Sequence, residues 1–188
     1  IVQCPKFEAI KQYIIGTRVI VGTTSMMTSK PFIFSLKHFK LAIIDESSQI
    51  LEPNLIGLLS AVDKFILIGD YKQLPAVVQQ SEQDSGIPTI NDSQKGGIID
   101  MSILQDICLT NCRNSLFERL IHWEDYEERS EFIGILRRQG RMHPEIAEFP
   151  NRIFYRREKL EPVPCPHQLE TELSYTLPSE DALDDLLK

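Results

Sequence analysis

Short apolar runs alternate with helically spaced apolar residues along the first half of this chain. The runs are rich in β-branched residues and predict strands at Arg18–Val21, Leu41–Ile44 and Phe65–Ile68. The middle run is apolar throughout, which predicts a fully buried strand. Because helix-length segments separate the runs, the pattern predicts parallel βαβ units with right-handed crossovers, which is an α/β fold.

Helices are predicted before and between these strands. Helically spaced apolar residues predict a short helix within residues 1–16. The pair Glu52-Pro53 opens another helix, which we expect to end near Asp63 with Val62 on its apolar face. We expect a loop at residues 25–31 and one or two helical turns at residues 32–39, before the second predicted strand.

Polar residues follow each predicted strand. They are Thr23 and Thr24 after the first, Asp45 and Glu46 after the second, and Gly69 and Asp70 after the third. Ligand sites of open α/β sheets lie beyond the carboxyl ends of the strands, so three such pairs predict a ligand-binding edge. Carboxylates there can hold a metal ion and polarise water, although for Asp45 and Glu46 alone an ordinary acidic turn is an equal alternative.

The middle of the chain is more polar. Residues 79–97 are rich in Ser, Gln, Asp and Gly and predict a surface loop. Apolar spacing then predicts helices at Met101–Cys108 and Ser115–Ile121. Residues 123–131 are dense in acids and offer little to bury, which predicts a domain boundary there; a solvated helix inside one domain is the alternative.

This boundary predicts a first domain over residues 1–125 and a second over residues 126–188. Within the second, Phe132–Leu136 predicts a strand that leads into a basic cluster, and Pro144 predicts the start of a helix. Beyond Pro166 the chain becomes an acidic tail, for which an edge element and a disordered terminus are both open.

Composition narrows the class of protein. The 188 residues are 42% hydrophobic and 25% charged, as in an ordinary globular protein. The net charge of −7 does not indicate nucleic-acid binding, yet a local groove can be basic inside an acidic protein. The four cysteines match no strong zinc spacing and predict reduced thiols in an intracellular protein. No apolar run is long enough for a bilayer, so we expect no membrane partner.

Four stretches carry a family resemblance. They read DESSQ at Asp45–Gln49, GDYKQLP at Gly69–Pro75, SLFERL at Ser115–Leu120 and RQGRMHPEIAEFPNRIFY at Arg138–Tyr155. In this order they resemble the DExxQ form of the Walker B motif, the GDxxQLP motif, the SLFERL motif and the QYRMHPxIxxFxNxxFY signature. Over residues 18–156 the chain is similar to superfamily 1 helicases of the branch that contains the nonsense-mediated-decay helicase and senataxin.

The resemblance implies a RecA-like P-loop NTPase sheet with flanking helices, incomplete here, and the beginning of a second RecA-like domain. It also implies ATP and Mg²⁺ as cofactors. Asp45 would hold Mg²⁺ through a coordinated water, and Glu46 would orient or deprotonate the attacking water. Asp70 would bind near the nucleotide, and Gln49 would hydrogen-bond near the nucleotide or relay between motifs. Gln73 would sense the γ-phosphate, since an amide can donate to phosphate and accept from water; a loop residue bonded to backbone is its alternative.

The remaining implied site residues contact phosphate or nucleic acid. Arg141 resembles an arginine finger supplied within the same chain, and Gln139 would bind nucleotide beside it. Thr23 and Thr24 would contact the backbone of single-stranded RNA or DNA, and Pro75 lies in a loop that would approach the same strand. For either threonine alone, simply finishing a strand is an equal alternative.

The sequence also departs from the family pattern. Gly140 stands where an aromatic residue is usual, which loosens the backbone beside Arg141, and Ala76 stands where a second proline is frequent. No GxxxxGK[ST] phosphate loop occurs in these residues. With Ile1 as the first residue, we expect an excised piece of a longer protein that does not hydrolyse ATP alone.

The function predicted is therefore that of the middle part of an ATP-dependent DNA or RNA helicase or translocase, in the cytoplasm, nucleus or nucleoid. The resemblance implies movement along single strands in the five-prime-to-three-prime direction. One alternative is a degenerate, non-catalytic RecA-like scaffold or nucleic-acid-binding module, which the retained Asp45, Glu46, Gln73 and Arg141 disfavour. Another is a different nucleotide hydrolase with a similar Walker B strand, which the RMHP stretch disfavours.

Overall fold

The computed structural model describes residues 7–87, 101–126, 131–163 and 166. The chain divides into two compact units, Ile1–Ile133 and Gly134–Lys188. The assignment of residues 1–125 and 126–188 to a first and a second RecA-like domain stays a prediction.

The first unit contains two parallel strands with helices around them. Its elements are α1 (Phe7–Gly16), α2 (Thr24–Ser29), α3 (Phe32–Leu36), β1 (Phe39–Ile44), a 3-10 helix (Ser47–Gln49), α4 (Glu52–Leu59), β2 (Val62–Leu67), α5 (Glu82–Ser85), α6 (Met101–Asp106) and α7 (Leu116–Tyr126). Strands β1 and β2 pair in parallel, with Ile44 opposite Leu67, and α4 lies between them in sequence. The predicted parallel βαβ arrangement is confirmed for this pair.

The core of the first unit lies on one side of β1. Ile44 packs with Leu55, Leu58 and Leu59 of α4 and with Leu116 of α7. Successive side chains of a strand point to opposite faces, so the alternate residues of β1 face away from this cluster. Leu41 and Ile43 are accordingly 48% and 62% exposed, and the prediction of a fully buried strand is wrong.

The first predicted strand does not form. Residues 17–23 have no regular structure, and Val19 and Val21 are 74% and 88% exposed. A β-branched run becomes a strand only where a neighbouring strand accepts its ladder hydrogen bonds, and none pairs with it among the described residues. The segment predicted as a loop instead contains α2, because the Thr23 side chain accepts a hydrogen bond from the amide of Met26 at 3.1 Å and caps the helix.

Two further boundaries of the first unit differ from prediction. Helix α4 begins at Glu52 as predicted but ends at Leu59, and Val62 belongs to β2, where it pairs with Phe39. The predicted polar loop contains the short helix α5, which Ser81 caps by accepting from the amide of Asp84 at 3.2 Å. Residues 88–97 of that loop lie outside the described residues.

The predicted helices of the middle region form, with different ends. Helix α6 covers Met101–Asp106, and α7 extends to Tyr126, five residues beyond the predicted end at Ile121. Glu124, one of the acids that suggested a boundary, is 9% exposed on α7. The first part of the acidic segment is therefore helical, as in the alternative interpretation, but Glu124 is buried rather than solvated. The domain boundary in this segment stays a prediction.

The second unit contains β3 (Arg138–Gln139), α8 (Pro144–Ile153) and β4 (Glu161–Pro162), with β3 and β4 parallel. The strand predicted at Phe132–Leu136 is wrong. Its residues have no strand pairing, Leu136 is 86% exposed, and pairing begins only at Arg138. Helix α8 starts at Pro144 as predicted, and the predicted acidic tail lies outside the described residues.

Candidate functional site

The carboxyl end of β1 carries the DESSQ segment in a tightly turned conformation. Asp45 and Glu46 are exposed, and Glu46 has φ 51° and ψ 32°, in the left-handed region that a non-glycine residue seldom adopts. Its amide donates to Oδ1 of Asp45 at 3.0 Å. Because β1 ends at Ile44 and the chain bends at Asp45 and Glu46, both carboxylates lie just beyond the carboxyl end of the strand.

Gln49 fixes the direction of the Glu46 side chain. Its Nε2 donates to Oε2 of Glu46 at 3.1 Å, and its amide donates to the carbonyl of Glu46 at 3.0 Å. The two residues lie at the ends of one turn of 3-10 helix, so the amide reaches the carboxylate without any other element. Gln49 thus binds Glu46, which the sequence had not indicated.

The GDYKQLP segment has a second, similar arrangement. Oδ1 of Asp70 accepts from the amide of Lys72 at 3.1 Å, and Oδ2 accepts from Nε2 of Gln73 at 2.9 Å. The Asp70 carboxylate therefore shapes its own loop and orients the exposed amide of Gln73. The ring of Tyr71 packs edge-on against His122 of α7, with centroids 5.7 Å apart.

Two serines join these segments. Both the amide and the hydroxyl of Ser47 donate to the carbonyl of Ile68 at 2.8 Å, and the hydroxyl oxygen of Ser48 accepts from the amide of Asp70 at 3.1 Å. Ser47 is fully buried and Ser48 is 5% exposed. The structure thereby brings Asp45, Glu46 and Gln49 next to the loop of Asp70 and Gln73.

Sequence reasoning gave these serines no role. The available signal was their small size and polarity shortly after an apolar run, together with Gly69 shortly after β2. A Cβ on Gly69 would lie 2.9 Å from the backbone nitrogen of Ser48. The two backbone segments therefore approach too closely for residue 69 to carry a side chain.

The residues predicted to contact nucleic acid lie on different elements. Thr23 caps α2 and Thr24 is its first residue, so neither ends a strand as predicted. Pro75 follows the GDYKQL residues and lines a small polar cavity together with Ser48, Asn111 and Ser115. Of the three, Pro75 is the one that shares a surface with the DESSQ segment.

In the second unit, Gln139 organises the loop that contains Arg141. Its side-chain oxygen accepts from the amides of Arg141 and Met142 at 3.1 and 2.9 Å, and its Nε2 donates to the carbonyl of Met142 at 3.0 Å. His143 caps α8 by accepting from the amide of Glu145 at 3.3 Å. The exposed Arg141 side chain therefore stands on a loop whose backbone is held on both sides.

The donor set at the β1 end suits a hard cation with few protein ligands. Asp45 and Glu46 offer exposed carboxylate oxygens, the ligands that Mg²⁺ prefers, and Mg²⁺ commonly takes one or two carboxylates and completes its shell with water and phosphate. Across residues 7–87, 101–126, 131–163 and 166, no group of three or more His, Cys, Asp or Glu side chains could hold a metal alone. Across the same residues, no helix has the length and apolar character needed to cross a membrane.

Comparison with known proteins relates the chain to helicases. Residues 5–81 and residues 112–182 each match a family model described as an AAA domain. An ATP-dependent helicase of Methanocaldococcus jannaschii, itself uncharacterized, is 33% identical over 137 residues, which is 73% of this chain and 16% of that protein. The human DNA replication ATP-dependent helicase/nuclease DNA2 is 31% identical over 80% of this chain and 11% of its own length.

A third relative extends the match along the chain. The DNA polymerase alpha-associated DNA helicase A of Saccharomyces cerevisiae is 28% identical over 94% of this chain and 24% of its own length. The chain spans less than a quarter of the length of each of these relatives.

Proposed function

We propose that this chain, a relative of ATP-dependent helicases, is part of a superfamily 1 motor that couples ATP hydrolysis to movement along a single strand of nucleic acid. The order of the four motifs supports the branch that contains the nonsense-mediated-decay helicase and senataxin. The two AAA-domain matches, over residues 5–81 and 112–182, support one RecA-like domain before and one after the segment between them. The relatives named for DNA replication and for DNA polymerase alpha support an intracellular role on DNA, with RNA as the alternative strand.

The observation that carries the proposal is the junction at Ser48. It brings a carboxylate oriented by an amide, Glu46 with Gln49, beside an amide oriented by a carboxylate, Gln73 with Asp70. Hydrolysis needs a water held by a base and a donor to the phosphate oxygens, and these are the two groups at this edge. An ordinary acidic turn does not require either arrangement.

Each side chain of the first unit then has a role. Asp45 would hold Mg²⁺, directly or through water, and the bound metal supplies positive charge to the phosphate oxygens of ATP. Glu46 orients the attacking water and accepts its proton, while Gln49 keeps the Glu46 carboxylate in place. Gln73 donates from its amide toward the γ-phosphate, and Asp70 keeps that amide oriented.

Arg141 and Gln139 have roles in the second unit. The permanently charged guanidinium of Arg141 stabilises charge that develops on phosphate oxygens in the transition state. Gln139 acts on the nucleotide through the loop backbone that it holds at Arg141 and Met142. A loop fixed in this way keeps Arg141 from sampling many unproductive positions.

Thr23, Thr24 and Pro75 are proposed to contact the single strand of nucleic acid. The Thr23 hydroxyl accepts from the amide of Met26 and retains its own hydrogen for donation to a phosphate oxygen. Contacts of this kind give affinity without base preference, as a motor that moves along its track requires.

Glu46→Gln in the full-length protein tests the proposal. The substitution keeps the shape of the side chain and removes the base, so we expect nucleotide-hydrolysis turnover to fall by about 100-fold to 10,000-fold. Nucleotide affinity should persist, because the amide still fills the same space. Glu8→Gln on the exposed face of α1 is the matched control and should leave turnover unchanged.

Three results would distinguish a catalytic motor from a non-catalytic module and RNA from DNA. Unchanged turnover in Glu46→Gln would show that Glu46 is not the catalytic base. Wild-type protein that binds single strands without hydrolysing ATP supports the non-catalytic module instead. Stimulation of hydrolysis by RNA and by DNA strands, compared at the same salt concentration, identifies the natural strand.

A further inference from the structure

A partly buried ion pair joins α7 to the beginning of α4. Nε of Arg119 donates to Oε2 of Glu52 at 2.8 Å, and one terminal nitrogen donates to Oε1 at 2.5 Å. The two side chains are 11% and 18% exposed. The other terminal nitrogen of Arg119 donates to the carbonyl of Ile107 at 2.7 Å. A planar guanidinium that binds both oxygens of a carboxylate fixes direction as well as distance.

Glu52 stands close to Glu46 along the chain. Between them lie only the 3-10 helix and two linking residues, the second of which, Leu51, forms an isolated antiparallel bridge with Ser115. Ser115 is 2% exposed, and its hydroxyl oxygen caps α7 by accepting from the amide of Glu118 at 3.1 Å. Ser115, which caps α7, and Arg119 within α7 therefore hold the two consecutive residues Leu51 and Glu52 at the end of the segment that begins with Glu46.

The other end of the same segment is held by β2. Ser47 donates twice to the carbonyl of Ile68, directly after the left-handed residue Glu46. A non-glycine residue persists in the left-handed region only where the surrounding structure determines its conformation. Anchors on both sides supply that requirement: β2 through Ser47, and α7 through Glu52.

We infer that Arg119 and Glu52 are positioning residues for Glu46. Neither side chain touches the reacting atoms. The expected effect on the rate of hydrolysis rests on the proposed function. The ion pair holds the far end of the segment, so that Gln49 can keep the Glu46 carboxylate in one place. The pair consequently sets the rate of hydrolysis rather than the affinity for nucleotide.

Two conservative variants of the full-length protein test this. Arg119→Lys keeps the positive charge and loses the planar fork, and Glu52→Gln keeps the shape and loses the negative charge. We expect kcat to fall about tenfold or more in each, with KM for ATP unchanged, because small misplacement of a reacting group can cost up to roughly 100-fold in rate. Glu8→Gln is the matched control: this exposed carboxylate on α1 lies 3.1 Å from Lys11, and its loss should leave kcat unchanged.

Hydrogen exchange measured on peptides of the same variants separates positioning from general stability. We expect faster exchange in the amides of residues 46–52 in Arg119→Lys, with the amides of β1 and β2 unaffected. Unchanged kcat, or faster exchange throughout the first unit with kcat and KM altered together, overturns the inference. If the wild-type protein hydrolyses no nucleotide, the proposed function fails by itself; selective exchange at residues 46–52 then still supports the positioning role, and its absence overturns it.

Discussion

The hydroxyl oxygen of Ser48 accepts a hydrogen bond from the backbone amide of Asp70 at 3.1 Å, across the gap between the ends of the two parallel strands. Ser48 is almost fully buried there, so water does not compete for this amide. The contact places the loop of Asp70 directly against the segment of Glu46. The carboxylates of Asp70 and Glu46 take no part in this contact, which joins the small hydroxyl side chain of Ser48 to a backbone amide.

Gly69 should be intolerant of any side chain because of this junction. Gly69→Ala adds a Cβ 2.9 Å from the backbone nitrogen of Ser48, so one of the two loops must move. We expect the free energy of unfolding to fall by about 1–3 kcal/mol, the usual cost of overpacking. Native-state hydrogen exchange of the amides of β1 and β2 in the full-length protein measures the change.

Gly57 provides the matched control for this substitution. It lies inside α4, and nothing stands within 4 Å of a Cβ built there. Gly57→Ala should therefore raise the free energy of unfolding by roughly 0.5–1 kcal/mol through helix propensity. If Gly69→Ala is no less stable than Gly57→Ala, the Ser48 contact does not limit residue 69.

The Gln49 side chain should matter through the charge of Glu46. Gln49→Glu replaces the amide that donates to the Glu46 carboxylate at 3.1 Å with a second negative charge. Repulsion should turn the Glu46 side chain away, and we expect ATP turnover of the full-length protein to fall about tenfold or more. Gln12→Glu on the exposed side of α1 adds the same charge and should leave turnover unchanged. Wild-type turnover in Gln49→Glu would contradict the orienting role.

The sequence predicted those elements whose local pattern and tertiary environment agree. The Glu52-Pro53 start, the parallel pairing of the second and third runs and the Pro144 start all depend on short-range signals that packing reinforces. The run Arg18–Val21 has equally strong β-branched character, yet it forms no strand. Strand formation depends on a partner far along the chain, and composition carries no information about that partner.

The site shows the same division. Motif order identified Asp45, Glu46 and Gln73 as candidates, but their hydrogen-bond partners follow from loop geometry that no spacing encodes. The left-handed conformation of Glu46 is a clear example, because Glu has no intrinsic preference for that region and the flanking contacts of Ser47 and Glu52 with other elements hold the segment. The bidentate contact of Arg119 with Glu52 joins residues 67 positions apart and was invisible for the same reason.

Gln139 should contribute to stability as well as to the Arg141 loop. Gln139→Ala removes two acceptor contacts and one donor contact with the backbone of Arg141 and Met142. We expect a loss of about 1–3 kcal/mol in the stability of the second unit, since backbone amides lose their partners. Hydrogen exchange of the amides of Arg141 and Met142 should accelerate.

Substitution of the neighbouring Gly140 is the control for Gln139→Ala. Gly140 has an ordinary negative-φ backbone, and nothing lies within 4 Å of a Cβ built on it. Gly140→Ala should therefore leave the loop intact and raise stability by roughly 0.4–1 kcal/mol through the unfolded chain. Destabilisation by Gly140→Ala would mean that the missing aromatic residue reflects a steric limit rather than open space.

Asn151 should be the residue that secures the pairing of β4 with β3. Its Nδ2 donates to the carbonyl of Leu160 at 2.8 Å and its Oδ1 accepts from the amide of Leu160 at 2.9 Å, so one side chain satisfies both backbone groups of that residue. The next residue, Glu161, donates to the carbonyl of Arg137 at 2.8 Å, and Val163 donates to that of Gln139 at 2.7 Å. Asn151→Asp replaces the donor with an acceptor that faces the Leu160 carbonyl.

We expect Asn151→Asp to destabilise the second unit by about 1–3 kcal/mol, because a carbonyl and a carboxylate then face each other without a proton between them. The amides of Glu161 and Val163 should exchange faster, and the loop of Gln139 should loosen with them since β3 loses its partner. Asn54→Asp tests the same substitution at an exposed position in the first turn of α4, where a negative charge is favourable, and it should stabilise by a few tenths of a kcal/mol. If Asn151→Asp stabilises the protein as Asn54→Asp does, the two hydrogen bonds of Asn151 to Leu160 do not hold the pair of β3 and β4. The rigidity of the Arg141 loop must then come from Gln139 alone.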